Sequence, residues 1–376
     1  MADQEPLTRI IEEIVAPGAA EVDRTGGFPR KAVDALADEG LLALTVPAAH
    51  GGTGQGPRAA ADVVRRISTA CGSTAMVVTM HYSAVAALAV ADRADVLREI
   101  ATGRHLSTLA FSEAGSRSHF WAPLGTATAE GDEVRLDAHK SWVTSAGQAD
   151  SYVWSSRPLS APGPMSLWLV RPGGPGLTVG AEFDGLGLRG NDSRPVTADG
   201  LRVPATALLG PDGAGLDLAL GAVLPWFLLL NAAASVGLME AVTRETTAHL
   251  SRTRLRHLDR SLAQQPEARA TLARMRIETD RTAALVDTAL TALEQGREDA
   301  QLLVLEVKAA ADGSAAEVAD LAMTACGGAA FRKELGIERR FRDSRAARVM
   351  APTTTALLDF VGRALCGLPL LDGADA

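Results

Sequence analysis

The first hundred residues carry apolar side chains at the spacing of amphipathic helices. In "RKAVDALADEGLLAL" and "GPRAAADVVRRISTACGSTAMVVTMHYSAVAALAVA" these side chains recur three and four residues apart, which is the period of a helix that buries one face. The glycine-rich stretch "PAAHGGTGQG" between them predicts a loop. We therefore expect an N-terminal helical domain over residues 1–105.

The pattern changes near Leu106 to short segments of β-branched and aromatic residues. These segments are bounded by Gly, Pro and Asp, as in "LSTLAFSEAGS", "DSYVWSSRP", "MSLWLVRPG" and "GLTVGAEF", and such runs are typical of strands. "ATAEGDEVRL" has the turn residues of a β-hairpin. The pattern predicts a β-domain over residues 106–209.

Helical periodicity returns after the β-domain. "ARATLARMRIETDRTAALVDTALTALEQG" and "AQLLVLEVKAAADGSAAEVADLAMTACGG" are long and periodic, which predicts a helical bundle over residues 210–376. The predicted fold class is therefore α+β and multidomain, with helices on either side of a β-domain in the chain.

The uncharged segment 218–239, "LALGAVLPWFLLLNAAASVGLM", is long enough to span a bilayer. Pro225, Asn231 and Ser235 interrupt it, and no basic flank follows the pattern expected at a membrane surface. We expect a helix buried in the bundle, and no membrane partner.

Composition narrows the class of protein further. The 376 residues have a net charge of −8 and no block of Lys or Arg, which argues against nucleic acid as a partner. Cys71, Cys326 and Cys366 lie far apart without metal-type spacing, so we expect no metal site and three reduced, buried thiols in a cytoplasmic protein. The N-terminus opens acidic and then amphipathic, unlike a secretory signal.

Five motifs in order give the chain a resemblance to a known family. They are "LLALTVPAAHGGTG", "LAFSEAGSRS", "KSWVTSAGQADSYV", "GLGLRGNDS…LRVP…LLG" and "CGGAAFRKELGIERRFRDSR", and together they resemble successive signatures of the acyl-CoA dehydrogenases. The resemblance implies an N-terminal helical domain, a middle β-barrel and a C-terminal four-helix bundle. It also implies FAD as cofactor, an acyl thioester as substrate, and a homodimer or homotetramer.

The resemblance assigns roles to residues of the β-domain. A flavin ring needs an aromatic wall and hydrogen-bond donors. Trp142 stands where the family places an indole against the flavin, and Thr144 where a hydroxyl reaches flavin N5. Ser112 matches a flavin-contacting residue, and Ser118 matches a serine near the carrier arm of the thioester.

Other implied cofactor contacts lie in the C-terminal region. Arg256 in "RHLD" keeps the family's phosphate-binding arginine, although Leu258 replaces the usual phenylalanine and Thr324 a glutamine. Arginine can bind phosphate with two hydrogen bonds, and the alternative is that Arg256 is a solvated charge on a helix. The remaining implied contacts are Gly327, Gly328 and Thr353.

The sequence departs from the family at the catalytic base. The glutamate of the family's "Y-E-G-T" falls on Ala351 in "MAPT", and the alternative base on the first bundle helix falls on Phe227, so both implied substrate-cavity positions lack a proton acceptor. Pro352 replaces a glycine and cannot keep a glycine-only geometry. Because a general base contributes roughly 10²–10⁴ in rate, ordinary desaturation is disfavoured. Candidates for a replacement base are His81, His119, Glu113 and Asp192.

Four functions remain open at this level. The first is a flavin oxidoreductase on an acyl thioester, bound to CoA or to an acyl carrier protein, whose substrate is self-activated or meets a relocated base. The second is a flavin monooxygenase on the same fold, since its pocket needs to be apolar and free of carboxylates. The third is non-redox chemistry at the α-carbon, such as ring closure, and the fourth is an inactive scaffold. An electron-transfer flavoprotein or a flavin reductase is the expected redox partner.

Overall fold

The computed structural model describes residues 4–117 and 119–371, and its first part is helical. Short α3 and α4 are strongly amphipathic, and α4 begins with a proline at its first position, where a missing N–H costs nothing. The almost wholly apolar α5 is buried on all sides. The helices are α1 (Gln4–Ile10), a π-turn (Ile11–Val15), α2 (Ala16–Thr25), α3 (Arg30–Asp38), α4 (Pro57–Ser68), α5 (Gly72–Val90) and α6 (Ala94–Ala101), with a 3₁₀ turn at Ala48–His50.

Seven strands in two sheets form the middle of the chain. One sheet has the order β1-β4-β5 with β1 parallel to β4, and the other is antiparallel with the order β2-β3-β7-β6. The predicted hairpin is present, because Glu130 pairs with Glu133 and Gly131 takes a positive φ of 68° in the turn. The strands are β1 (Ser107–Ala110), β2 (Thr126–Glu130), β3 (Glu133–Val143), β4 (Ser151–Ser156), β5 (Ser166–Val170), β6 (Leu177–Val179) and β7 (Arg194–Pro204).

The two sheets pack around one core. Trp154 and Trp168 from the first sheet are fully buried with Leu136 and Val196 from the second. The strand β3 alternates buried and exposed positions, as expected for a strand with one face against the core. The middle domain thus consists of two sheets packed around their own hydrophobic interior.

The C-terminal part is a helical bundle in which α8, α9, α10 and α13 pack together. A short hairpin separates α8 from α9. The elements are α7 (Gly215–Leu218), a π-turn (Ala219–Val223), α8 (Leu224–Arg252), β8 (Arg254–Leu255), β9 (Arg260–Ser261), α9 (Pro266–Glu294), α10 (Ala300–Cys326), α11 (Ile337–Asp343), α12 (Ala346–Val349) and α13 (Thr354–Leu365), with 3₁₀ turns at Ala205–Ala207, Leu262–Gln264, Gly327–Ala329 and Lys333–Leu335.

The segment from Gly215 to Arg252 is one continuous helix with a π-turn near its start. Pro225 follows that turn, and a proline supplies no N–H to the preceding turn of a helix. Wider turns of this kind are frequent at functional sites. Here the π-turn borders the cavity described below, because Ala219 and Val223 line that cavity.

Two of the described helices, Gly72–Val90 and Gly215–Arg252, are long and apolar enough to cross a bilayer. In each, 83% of the most apolar stretch is buried inside the fold. The segment 218–239 lies in the second of these helices and packs as the expected core helix.

Close backbone contacts join the three parts of the chain. A Cβ added to Gly237 would stand 2.1 Å from the carbonyl oxygen of Arg65, so α8 and α4 approach as only glycine permits. A Cβ on Gly187 would stand 2.5 Å from the carbonyl oxygen of Arg342. The loop between β6 and β7 therefore lies directly against α11.

One sequence expectation about the thiols was wrong. Cys71 and Cys326 are buried, but Cys366 is exposed. The reason is that α13 buries Leu357 and Phe360, while its last turn projects beyond the core and leaves Leu365 exposed as well.

Candidate active site

A cavity of about 800 Å³ lies where the three parts of the chain meet. The N-terminal helices contribute Met80, and the β-domain contributes the segments around Ser112, Trp142 and Asn191. The C-terminal bundle contributes apolar residues from the π-turn and α8, together with the loop after α12. Those C-terminal residues are Ala219, Val223, Leu224, Phe227, Arg342, Arg345, Ala346, Val349, Met350, Ala351 and Pro352.

The structure brings together residues that the sequence had placed in different roles. Ser112, Trp142 and Thr144, expected at the flavin, line the same cavity as Phe227 and Ala351, the two expected base positions. Ser118 lies outside the described residues. Among the described residues that line the cavity, Glu113 also occurs, but the other expected site residues do not; these are His81, His119, Asp192, Arg256, Gly327, Gly328 and Thr353.

Trp142 presents an indole to open space at the rim of the cavity. Its side chain is 69% exposed, and the ring of Phe183 meets it edge-on at 6.2 Å. This indole continues the apolar lining of the cavity instead of standing alone, and contiguous exposed apolar surfaces of this kind mark binding sites. Thr144 lies two residues further on and is buried.

The backbone is strained in two segments that line the cavity, 142–145 and 188–192. Trp142 and Ser145 have φ of 58°, while Leu188 and Asp192 have φ of 50° and 54°. Non-glycine residues at positive φ cost free energy, and they concentrate at ligand clamps where the surroundings hold them in place. The segments 142–145 and 188–192 are tied to each other, because Ser145 N–H donates to Asn191 O and Ala146 N–H to Asp192 O.

Two of the candidate replacement bases are occupied by partners. Glu113 lines the cavity, but its Oε1 accepts a hydrogen bond from Lys140 Nζ at 2.5 Å, and its Oε2 accepts from the backbone N–H groups of Leu124 and Gly125. Burial lowers the pKa of Lys140 to about 8, although the carboxylate of Glu113 opposes that shift. Asp192 accepts from Gly147 N–H and from Arg194 Nε. Both carboxylates are therefore engaged by protein donors, and Asp192 does not line the cavity.

The three described arginines that line the cavity differ in whether an acidic side chain pairs with them. Arg342 binds Asp23 and Glu338, and Arg345 binds Asp320 while its guanidinium lies 4.1 Å above the ring of Phe341. No described residue forms a hydrogen bond or ion pair with the side chain of Arg117. Arg117 therefore carries the one uncompensated charge among the described residues that line the cavity.

His81 does not reach the cavity. Its Nδ1 accepts a hydrogen bond from Ser107 N–H at 3.1 Å, and its Nε2 lies 3.0 Å from Leu42 O. Because Nδ1 accepts, Nε2 carries the proton and donates to Leu42 O, so the ring is neutral and has no lone pair left for catalysis. Burial lowers the pKa of His81 to about 4. His119 is exposed and packs 4.9 Å from the ring of Trp121.

Replacing His81 with glutamine is expected to remove a pH dependence of stability. The unfolded chain binds this proton below about pH 6.5, whereas the folded chain binds it only near pH 4, so stability rises as pH increases through that window. Such a shift amounts to on the order of 3 kcal/mol. Urea unfolding of the wild type should show this rise, and His81→Gln should flatten it.

The matched control for His81 is His139, which is exposed on β3. His139→Gln should leave the pH profile of unfolding unchanged. A His81→Gln profile that keeps the wild-type slope would show that the neutral buried imidazole is not the source of the dependence.

A buried ion pair holds the loop that contains Ala351. Lys308 Nζ donates to Asp312 Oδ2 at 2.8 Å and to the carbonyl oxygens of Ala347 and Pro352 at 2.8 and 3.1 Å. Both side chains of the pair are fully buried, and burial lowers the pKa of Lys308 and raises that of Asp312. The ammonium group thereby ties α10 to both ends of the loop.

The other expected cofactor contacts lie away from the cavity. Thr353 is the N-cap of α13, and its hydroxyl oxygen accepts from Ala356 N–H at 3.3 Å. Arg256 lies in the exposed turn between β8 and β9, after the end of α8, and is therefore not on a helix. Gly327 and Gly328 lie at the end of α10, and a Cβ added to either would meet no atom within 4 Å.

The residues of the cavity fit a flavin ring. An apolar wall, a free indole at Trp142 and the paired hydroxyls of Thr144 and Ser193, 3.3 Å apart, supply the aromatic contact and the hydrogen bonds that an isoalloxazine requires. The buried amide of Asn191 adds a further polar group. This fold and this cavity define a flavin-dependent oxidoreductase.

Family models of known proteins match all three parts of the chain and agree with a flavin-dependent oxidoreductase. Residues 4–103 match the N-terminal domain of acyl-CoA dehydrogenases, residues 108–201 the middle domain and residues 213–366 the C-terminal domain. The chain belongs to the acyl-CoA dehydrogenase family, and FAD is its cofactor.

Individual relatives span nearly the whole chain. The cyclohex-1-ene-1-carbonyl-CoA dehydrogenase of Syntrophus aciditrophicus is 28% identical over 93% of this chain and 86% of its own. The butyryl-CoA dehydrogenase of Megasphaera elsdenii has the same fold, with a TM-score of 0.90, 20% identity and coverage of 96% and 97%. FkbI, an enzyme for the biosynthesis of a methoxymalonyl extender unit, superimposes with a TM-score of 0.85, 25% identity and coverage of 97% and 99%.

Sequence reasoning missed three groups at the site. Lys308 and Asp312 stand four residues apart in an otherwise apolar stretch of α10, and that isolated pair of opposite charges was the available signal. Arg117 and Asn191 stand inside two of the five motifs, "LAFSEAGSRS" and "GLGLRGNDS", but only the folded chain shows that they line the cavity.

Proposed function

We propose that this protein oxidises an acyl thioester, carried by CoA or by an acyl carrier protein, without a carboxylate base from the chain. The observation that supports this proposal is the cavity itself, which is lined by Ala351 and Phe227, the two positions that the resemblance assigns to a base, and neither side chain accepts a proton. Glu113, the one carboxylate among its described lining residues, is bound to Lys140. When bound, FAD supplies the hydride acceptor.

Two observations support a thioester as the substrate: the name of a relative and the unpaired charge of Arg117 at the cavity. The Syntrophus relative acts, by its name, on a CoA thioester. The uncompensated Arg117 faces the cavity, and the pantetheine arm of CoA and of carrier proteins brings a phosphate, for which arginine is a preferred partner. The apolar wall of Val223, Leu224 and Phe227 suits the acyl part.

A cavity without a base selects a substrate that gives up its proton readily. A hydrogen acidified by conjugation or by a second carbonyl group, or a proton on a heteroatom, can pass to water without a carboxylate. The hydride carries two electrons and one proton from carbon to the flavin, and a second proton leaves for solvent, so the two electrons and two protons of the oxidation are accounted for. An unactivated saturated acyl chain lacks such a proton and would react slowly.

Anaerobic mixing of the holoprotein with a panel of acyl-CoAs tests this proposal. Thioesters with acidified α-hydrogens or an α-heteroatom should bleach the flavin, and saturated unactivated acyl-CoAs should do so about 100-fold more slowly. Chemical reduction of the same sample provides the control that the flavin can be reduced. If no thioester bleaches a chemically reducible flavin, the proposal is wrong.

A monooxygenase is the second candidate, and the same apolar wall without a free carboxylate favours it. Reduced protein mixed with O₂ would then show a persistent spectrum that differs from those of oxidised and reduced flavin. Direct return to the oxidised spectrum would exclude this candidate.

The assembly is also part of the proposal. Arg256, Gly327 and Gly328 lie outside the cavity and are exposed, and nearby in sequence Phe331 is 85% exposed. These residues would complete the FAD site of a second subunit in a homodimer or homotetramer. We further propose a cytoplasmic protein whose flavin exchanges electrons with an electron-transfer flavoprotein or a flavin reductase.

A further inference from the structure

We propose that Asn191 binds the flavin through its side-chain amide, with Nδ2 donating a hydrogen bond to an acceptor on the isoalloxazine ring. The proposal rests on FAD as the cofactor and does not depend on which thioester is the substrate. It assigns a binding role to a residue that stands within the motif "GLGLRGNDS" but was given no role there.

The amide of Asn191 is held in one orientation. The side chain is buried and lines the cavity. Its Oδ1 accepts a hydrogen bond from Ser193 N–H at 3.1 Å. Since an N–H group must be met by the oxygen and not by the amide nitrogen, this contact fixes which end of the amide is which.

The other end of the amide has no protein partner. No described residue accepts a hydrogen bond from Nδ2. Nδ2 is not sealed off by the protein and remains accessible from the cavity that Asn191 lines. A ligand in the cavity that Asn191 lines supplies the missing acceptor.

The backbone around Asn191 is built to hold it rigidly. Asn191 N–H donates to Leu188 O at 3.1 Å and Asn191 O accepts from Ser145 N–H at 2.9 Å. Its neighbour Asp192 is one of the strained residues at positive φ, as are Leu188 and Ser145. Strained segments that fix each other in this way are characteristic of ligand clamps.

The neighbours of Asn191 identify the flavin as the acceptor. Through Ser193, the amide connects to the hydroxyl of Thr144, which lies 3.3 Å from the hydroxyl of Ser193. Thr144 and the free indole of Trp142 are the groups that fit the isoalloxazine. The pyrimidine side of that ring carries carbonyl oxygens and ring nitrogens that accept hydrogen bonds. A flavin bound against Thr144 and Trp142 therefore offers an acceptor to Asn191 Nδ2.

This hydrogen bond should favour the reduced cofactor. Reduction places negative charge on the acceptor atoms of the ring, and hydrogen bonds to charged acceptors are roughly twice as strong as those to neutral ones. The amide of Asn191 therefore raises the midpoint potential of the flavin as well as its affinity.

Asn191→Asp is the sharpest variant. Aspartate has the same shape and still offers an oxygen to Ser193 N–H, so the variant loses only the Nδ2 donor and gains a negative charge. Asn191→Leu keeps the number and branching of the side-chain heavy atoms and removes both polar atoms. Gln148→Glu is the matched control, because it makes the same amide-to-acid change on the adjacent turn, outside the cavity, where Gln148 accepts from Arg30.

Two measurements without substrate test the proposal: the flavin midpoint potential against reference dyes, and titration of apoprotein with FAD. For Asn191→Asp we expect at least tenfold weaker FAD binding and a midpoint lowered by about 30 mV or more, which corresponds to a tenfold change for a two-electron couple. Asn191→Leu should shift both values in the same direction, and Gln148→Glu should match the wild type.

The contrary result is equally clear. If both Asn191 variants keep wild-type midpoint and FAD affinity but bind a thioester analogue more weakly, Nδ2 donates to the substrate carbonyl and the proposal is wrong. Thermal unfolding of each apoprotein checks folding, and Asn191→Leu carries the test if the aspartate variant does not fold. Because neither measurement uses a substrate, failure here is distinct from failure of the thioester panel.

Discussion

Replacing Ala351 with glutamate is expected to speed flavin reduction by a saturated acyl-CoA by about 100-fold. Ala351 lines the same cavity as Trp142 and Thr144, so a carboxylate there enters the space that the acyl chain and the flavin ring share. We expect a rate increase at the lower end of what a general base contributes. The reason is that Pro352 stands in place of a glycine and restricts how the loop can position the new carboxylate.

Stopped-flow absorbance under anaerobic conditions measures this effect. Ala351→Gln has nearly the same shape without a proton acceptor and should show no gain over the wild type. If glutamate and glutamine variants behave alike, the carboxylate at position 351 does not reach the α-carbon, and the absence of a base at this position does not explain slow desaturation.

Replacing Lys308 with methionine is expected to lower the free energy of unfolding by about 3–5 kcal/mol. Without the ammonium group, the buried carboxylate of Asp312 has no cationic partner, and its Oδ1 already lacks a hydrogen bond. The substitution also removes the donor for the carbonyl oxygens of Ala347 and Pro352. Unpaired buried charges are far more costly than the pair they came from. The loop around Ala351 should also become less ordered, with weaker FAD retention.

Urea unfolding of the holoprotein, with FAD content measured alongside, checks this prediction. Arg276 and Asp280 form an exposed pair with the same four-residue spacing on α9, and Arg276→Met should cost less than about 1 kcal/mol. The double variant Lys308→Met/Asp312→Leu should recover part of the loss. A Lys308→Met protein as stable as Arg276→Met would show that the buried pair does not hold the loop.

Local patterns predicted the elements because local physics decides them. The hairpin at residues 126–143 needed only a glycine at the turn and alternating side chains on β3. It is present in the structure, with Glu130 paired to Glu133 across the turn. The apolar segment 218–239 was interrupted by polar residues and packs as a buried helix. Cys366 shows the limit, since its exposure depends on where the last turn of α13 leaves the bundle.

The site was predictable in part. Trp142, Thr144 and Ala351 could be given expected roles because they sit in motifs or at a fixed distance from one, and Phe227 was placed by matching the first bundle helix. The fold brings all four to one cavity. His81 could not be judged from sequence, because its neutral state depends on Leu42 and Ser107, which lie 39 and 26 residues away in the chain.

By itself, the sequence determined the order of helical and β parts, the family, the cofactor and the absence of a carboxylate from Ala351 and Phe227, the positions that the resemblance assigns to a base. Each of these depends on residue identity or on spacing within one segment. Only the tertiary structure decided that Glu113 is neutralised by Lys140, that Lys308 holds the loop of Ala351, and that Asn191 turns a free donor into the cavity. These features depend on which side chains meet across distant segments, and the burial that makes them costly or useful exists only in the folded chain.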